Sequence, residues 1–512
     1  MLKKVLIIFL AISMVIVCFA GCNSTTTTTT VTSDYIVDNT DKNDSNANTD
    51  KNDSNANNDN KNESANNQSG ISSKDENTTN VKNPLGIDLG GSTITIYSIA
   101  TDYFNPKAKA TTKSDQARIS ALKKLEEKLN CKIKNVVVDA GQLQTSMFTT
   151  ISSGKSFAHI VQTHAHASAA LISSKLVEDI NKIATIDVNQ DYLNVGGAVE
   201  ASTFGGGTWY VAEPIEIYKR AQGIYFNKRI LKEIGLSDAE LYKMVSNKKW
   251  TIAKMRELAQ KAIKDLDGKP GMSAEDRWGI TFIDTQSAFA PNVLEACGAR
   301  MLITESNGNI KYNMESKTVM DAITLAGEIT RDKGAYALDG TDTDRLKLFS
   351  SGKSLFLTAD CDHVIMVADM EDDFGFLPFP LSKEGGEYTS SVNWNSTVLM
   401  IPKGLDSKEL KKAGSFLQAY AYLAEKVNDS VNEDWTARYF RDDESGENFA
   451  IAAKGQHLNV TQTIANTNDS ILSGTYRVLW EYIDKGEAIS TKIQSKKSAT
   501  VTAIKDLLEK LK

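Results

Sequence analysis

From Ser92 the chain alternates polar and apolar positions, STITIYSI, and this period of two marks one face of an extended strand as apolar. The period then changes. In KSDQARISALKKLEEKLN the apolar residues Ile119, Leu122, Leu125 and Leu129 fall three to four apart, which predicts an amphipathic helix with Ser114 as its N-cap. CKIKNVVVDAG predicts the next strand and, after a short helix, FAHIVQTHAH a third. Strands and helices in this βαβαβ order build a mostly parallel sheet covered by helices. TIAKMRELAQKAIKD after Trp250 reads as helix, and SLFLTAD, DDFGFLPFP and STVLMIP as strands. SKELKKAGSFLQAYAYLAEKV and the closing ATVTAIKDLLEKLK are amphipathic helices, so the chain is α/β with a strongly helical C-terminal part.

The N-terminus has a different pattern. Lys3 and Lys4 precede an almost wholly apolar run over residues 5–20, shorter than the ~20 residues of a membrane span, which predicts an export signal at 1–21. Ala20 and Gly21 before Cys22 resemble a bacterial lipobox, with Phe19 where leucine is usual, and this makes Cys22 the expected site of lipidation. Residues 22–83 are rich in Thr, Asn, Asp and Ser, and DKNDSNAN occurs twice at a spacing of nine. So little apolar surface cannot offset the entropy of ordering, and a disordered tether with a root-mean-square reach of about 40 Å is expected.

About 430 residues remain of the 512, more than one core usually holds, so two lobes are expected. The chain has 58 Lys and Arg against 65 Asp and Glu and no dense basic stripe, which speaks against nucleic acid as a partner. Cys131, Cys297 and Cys361 are widely spaced and suggest neither a disulfide framework nor a zinc knuckle.

Several short motifs invite chemistry. GIDLGGSTITI at residue 86 looks like the first phosphate loop of sugar kinases and actin-type ATPases. The similar VVVDAG follows about fifty residues later, where those proteins need more than a hundred, so Asp88 and its glycines are read as a turn into the first strand. Gly-Lys-Ser occurs at 154–156 and 352–354, but a P-loop needs another glycine five residues earlier, where Thr149 and Lys347 stand; each glycine is read as a helix C-cap. His159, His164 and His166, and DCDH at 360–363, have metal-ligand residue types without a metal-type spacing, and a polar lining at strand ends is the preferred reading. No G-x-S-x-G marks a nucleophile, whereas paired carboxylates for glycoside hydrolysis leave no sequence spacing to test. Trp209, Tyr210, Trp394 and Trp435 sit in polar or glycine-rich settings and suit a cleft whose ligand offers flat C–H faces to rings, as a sugar does.

The lipobox, the tether, the βαβ start, GIYFNKRILKEIGL, a tryptophan opening a helix, LFSSGKSLFLTAD, DFGFLPFPL and VLMIPKG before a helix resemble, in this order, one family over about residues 86–512. It is that of the extracellular solute-binding lipoproteins of ABC importers, in the group that includes maltodextrin-binding protein. The resemblance implies a type II periplasmic-binding-protein clamp of two discontinuous lobes, 84–214 with 378–428 and 221–372 with 433–512, joined by a hinge. Binding residues would come from the C-terminal ends of strands: Tyr97, Ser98 and Asp102; Asp139; Thr163, His164 and His166; Glu213, Tyr218 and Arg220 from the crossing segment; Asp360 and Asp362; and Arg477. Trp394, Trp209 and Trp435 complete the expected set. The group's aromatic residue is missing from QTHAH, and a maltodextrin is thereby less favoured among sugars. The function implied is capture of a sugar or oligosaccharide by a monomer, lipid-anchored on the outer face of the cytoplasmic membrane, for delivery to an ABC permease. No cofactor and no turnover are expected. A peptide or other polar solute, or a cell-surface glycoside hydrolase, are the alternatives.

Overall fold

Asp88 closes the turn that leads into the first sheet: its carboxylate accepts from the Gly90 amide at 2.7 Å and from Asn130 Nδ2 at 2.9 Å. The structure, a computed structural model, describes residues 83–100, 102–336, 340–486 and 488–512, all within one compact unit. The signal, Cys22 and all but the last residue of the tether lie outside the described residues.

After the turn, β1 (Ser92–Ser98) buries Ile94, Ile96 and Ser98 on one face, as the alternation requires. Helix α1 (Lys113–Lys128) buries Ile119, Leu122 and Leu125, but its N-cap is Thr112, whose hydroxyl accepts from the Asp115 amide. Ser114, the residue expected there, is in the first turn and directs its hydroxyl to Asp434 at 3.2 Å. Next come β2 (Cys131–Val137), α2 (Leu143–Ser152), β3 (Ile160–His164) and α3 (Ala165–Ser173). Strands β2 and β3 flank β1 in parallel, with Ser92 opposite Cys131 and Ile96 opposite Ile160. The chain leaves this sheet through β4 (Val211–Ala212) and α4 (Pro214–Lys219).

The second sheet begins with β5 (Gln222–Asn227), followed by α5 (Ile252–Ala262), β6 (Trp278–Phe282), β7 (Ala335–Tyr336), α6 (Asp342–Ser350), β8 (Ser354–Asp360) and β9 (Phe374–Pro378). Its order is β7-β6-β8-β5-β9, with β5 antiparallel to both neighbours. Helix α5 stops at Ala262, three residues short of the apolar pattern's end, because Lys264 pairs with Arg277 and Arg277 Nε donates to the Ala262 carbonyl at 2.7 Å. The chain returns to complete the first sheet with β10 (Thr397–Met400), giving β2-β1-β3-β10-β4. Both Gly-Lys-Ser motifs follow helices: Gly154 (φ 75°) after α2 and Gly352 (φ 72°) after α6 occupy the left-handed region that ends a helix without a Cβ clash.

Four long helices follow: α7 (Ser407–Glu425), α8 (Val427–Arg438), α9 (Asp443–Lys454) and, after shorter turns, α10 (Tyr476–Lys485), before the closing α11 (Ile489–Leu511). Helix α7 covers β1, α8 packs on α1, and α9 crosses to lie on β9 and β5. Helix α11 starts ten residues before the closing amphipathic stretch, because Ile493 in the Lys-rich segment before it is buried too. It packs against α3 as well as against the strand Ile310–Tyr312. Three apolar cores result, one under α7, one around the second sheet and one under α2 and α3.

Helix α5 meets β6 most closely at Gly279, where a Cβ would lie 2.0 Å from the Ala259 carbonyl oxygen. Gly279→Ala should therefore push helix and sheet apart and cost on the order of 2 kcal/mol. Urea unfolding should show a lower midpoint at unchanged slope.

Candidate functional site

The path from the first sheet to the second carries the site's first charged groups. Pro214 opens α4 where a missing amide costs nothing, and Glu213 caps the helix by accepting from the Glu216 amide at 2.8 Å. The Glu213 carboxylate is fully buried and also accepts from the Tyr103 hydroxyl at 2.6 Å and from that of Tyr420. Burial, with the Glu216 charge adding to it, pushes the Glu213 carboxyl up to about 7. At the other end of α4 stands Arg220, 3.8 Å from Glu216, 3.9 Å from Asp360 and 3.7 Å from Asp362. Its Nε has no hydrogen-bond partner.

Asp360 ends β8 opposite Gln222 of β5, so strand register sets it beside Arg220. One carboxylate oxygen meets His363 Nδ1 and the other accepts from Asn393 Nδ2 at 2.7 Å. Burial works against its charge, but His363 and Arg220 hold its carboxyl below the usual range. Burial and the neighbouring Asp360 instead raise Asp362 to about 7.

A row of rings adjoins these charges. His164 ends β3, and its Nδ1 donates to the Asn395 carbonyl at 2.8 Å. Its ring lies 5.3 Å from that of His166 at 8° between planes, and His166 lies 5.2 Å from Trp394 at 12°. Trp394 meets Tyr476 edge-on at 5.1 Å, and Tyr476 stacks on Trp480 at 5.9 Å. Burial, with His164 beside it, lowers His166 to about 4, so the ring is neutral at pH 7 and its Nδ1 can accept from Asn466 Nδ2, 3.4 Å away. His164, His166 and Trp394, from β3, α3 and the connection into β10, thus form a half-buried ring surface edged by amides and carboxylates, with Tyr476, 1% exposed in the second core, backing Trp394. Such a surface can hold flat C–H faces and satisfy hydroxyls.

Of the residues singled out in the sequence, the structure brings His164, His166, Trp394, Arg220, Asp360 and Asp362 together. Thr163 is buried next to His164 in β3, and Ser98 is buried at the end of β1, donating to Gln162 Oε1 at 2.7 Å. Tyr97 is on the opposite face of β1 from Ser98, against Phe157 at 4.3 Å. Asp102 and Asp139 are exposed and serve turns, accepting from Asn105 Nδ2 and from the Gln142 amide. Glu213 lies beneath the crossing helix, and Tyr218 accepts from Asn432 at 3.2 Å. Trp209 is packed in the third core with Nε1 donating to Phe204, and Trp435 stacks on Phe449 in the first. Arg477 pairs with Asp469 at 2.7 Å. Sequence reasoning missed Asn393, Asn395, Asn466 and Glu216, and it missed Tyr476, which supports Trp394 from within the second core. The aromatic spacing i, i+4 of Tyr476 and Trp480 on α10 was the available signal.

The family described as bacterial extracellular solute-binding protein matches residues 105–426. Curated proteins give no match to the sequence. Among solved structures, M. tuberculosis UspC is similar with a TM-score of 0.55 at 15% identity, over 80% of this chain and 99% of that one. The cyclic alpha-maltosyl-1,6-maltose binding protein from Arthrobacter globiformis gives 0.54 at 14%, over 81% and 100%. The sugar-binding protein MalE from Xanthomonas citri gives 0.54 at 12%, over 82% and 97%. At these identities the likeness is one of fold.

The buried Glu213 has a pH signature. Its folded pKa lies above the unfolded value, so its contribution is fully present below about pH 4.5 and is lost as pH rises toward 7. Against Glu213→Gln, which cannot ionise, wild-type stability should fall by on the order of 2–3 kcal/mol across that window. Denaturant midpoints of both proteins at a series of pH values check this, and parallel curves would contradict it.

Proposed function

The chain belongs to the bacterial extracellular solute-binding protein family, and from that membership we propose that it captures a neutral sugar or oligosaccharide between its two lobes and presents it to an ABC permease. The observation that carries this reading is the ring row from His164 through His166 to Trp394, bordered by Arg220, Asp360 and Asp362. Two of the structurally similar proteins carry sugars in their names, which supports the same class. Arg220 already faces three carboxylates, so it has no surplus charge for an acidic solute.

The lobes, 84–214 with 378–428 and 221–372 with 433–512, approach one another about the segments that cross between them. An open form admits the solute, its C–H faces lie on His166 and Trp394, and closure expels water. A solute lacking a matching hydroxyl then leaves a buried polar group unpaired, at about 1–3 kcal/mol each. Asp360 is committed to His363, Asn393 and Arg220, which suits binding and positioning rather than proton transfer. Cys22, preceded by Ala20 and Gly21, is the proposed lipid attachment, holding the protein at the outer face of the membrane as a monomer on its tether. Among the described residues no helix is long and apolar enough to cross a membrane.

Titration with linear and cyclic malto-oligosaccharides and other neutral sugars should give a saturable one-to-one change in tryptophan fluorescence without release of reducing ends. Trp394→Ala should weaken the binding at least tenfold, about 1.4 kcal/mol. Reducing ends released by the purified protein would replace this reading with a glycoside hydrolase, and saturation by peptides alone would replace the sugar.

A further inference from the structure

Asp360 and Asp362 flank Cys361 and share one guanidinium, with Arg220 3.9 Å from the first and 3.7 Å from the second. Their surroundings differ. Asp360 has a side chain only 4% exposed, and His363 and Asn393 meet its two oxygens. Asp362 is 33% exposed, and among the described residues no hydrogen bond reaches its carboxylate; Arg220 stands beyond hydrogen-bond length. The turn that carries Asp362 is pinned, because the Tyr225 hydroxyl donates toward the Asp360 and Cys361 carbonyls at 3.1 and 3.0 Å.

Two carboxylates around one guanidinium do not both ionise cheaply, and Glu216, 3.8 Å from Arg220, adds a third negative charge. Asp360 has the better partners and keeps its charge, while the ring of His363 beside it is held above its usual value despite burial. Burial keeps the Tyr225 hydroxyl and the Cys361 thiol protonated. The remaining proton falls to Asp362: burial and Asp360 push its carboxyl up to about 7, against Arg220 and Lys219. A sugar, on the reading of this cleft given above, brings what the protein withholds from Asp362, namely hydroxyl donors. Adjacent hydroxyls can donate to the two oxygens of one carboxylate, and such bonds are about twice as strong to an ionised acceptor as to a neutral one. We propose that Asp362 holds a pair of adjacent sugar hydroxyls as an ionised carboxylate, so that the solute binds with release of a proton from Asp362 to solvent. Affinity should therefore rise through neutral pH and level off once Asp362 is ionised in the free protein.

Calorimetric titration of the full chain with the malto-oligosaccharides and neutral sugars of the fluorescence assay, in phosphate and in Tris, counts the protons released. About half a proton is expected at pH 7, with binding about tenfold tighter at pH 8 than at pH 6. Asp362→Asn should release none, show no pH dependence over this range, and bind at least tenfold more weakly than wild type at pH 8. Glu213→Gln, which removes the other carboxyl near 7, should still release the proton. Proton uptake, affinity independent of pH, or release that persists in Asp362→Asn and so belongs to Glu213 or His363, overturns the proposal. The wild-type proton count decides this even where Asp362→Asn disturbs folding. Binding without release overturns this proposal alone, whereas no binding by any sugar overturns the sugar reading with it.

Discussion

The buried carboxylate of Glu213 joins parts of the chain that lie more than two hundred residues apart. Tyr103, after the first strand, and Tyr420, on the long helix over that strand, both donate to it, and it caps the helix that crosses to the second sheet. A carboxylate in such a place is costly unless each oxygen is met, and here three donors meet it. The consequence is positional. With its first turn tied to the first lobe's core, α4 delivers Arg220 to the C-terminal end of β8 in the second sheet.

From that fixed point the proposed site follows by strand register. Asp360 faces Gln222 across the β8–β5 pair, and Asn393, in the returning connection, reaches back to it. The same connection carries Trp394 against His166 at the mouth of the first sheet. Two crossing segments and two strand ends therefore meet at one place, where the rings are apolar and their rim is polar. A small change in the angle between the sheets would alter the gap between these groups, which is how a cleft in this family converts binding into a shape that a second protein can read.

Much of the fold was legible because the first lobe announces its elements locally. The alternation in STITIYSI and the spacing in ISALKKLEEKL are properties of neighbouring residues, and β1, α1, β2, α2 and β3 appear where those patterns stand. The site was legible only in part. His164, His166, Asp360 and Asp362 stand out as polar residues at strand exits, Arg220 as a charge on the crossing segment, and Trp394 as an aromatic ring in a polar loop. Trp209 and Trp435 carried the same local signal yet are core residues, since a glycine-rich or polar neighbourhood does not report what packs above a ring from a distant segment. Tyr476 and Trp480, at i, i+4 on an amphipathic helix, read as a core-facing stripe, and Tyr476 is in the second core, where it backs Trp394. Arg477, one position along, is turned about 100° from Tyr476 and finds Asp469 instead.

The central claim is that a neutral sugar lies on the rings contributed by both sides of the cleft. A crystal structure of the protein with the tightest-binding oligosaccharide from a screen tests it most directly. The expected result is one sugar with a pyranose face against Trp394 or His166 and hydroxyls within hydrogen-bond distance of Arg220, Asp362 or Asn395. A sugar seated elsewhere, or rings left untouched in a sugar-saturated crystal, would contradict it.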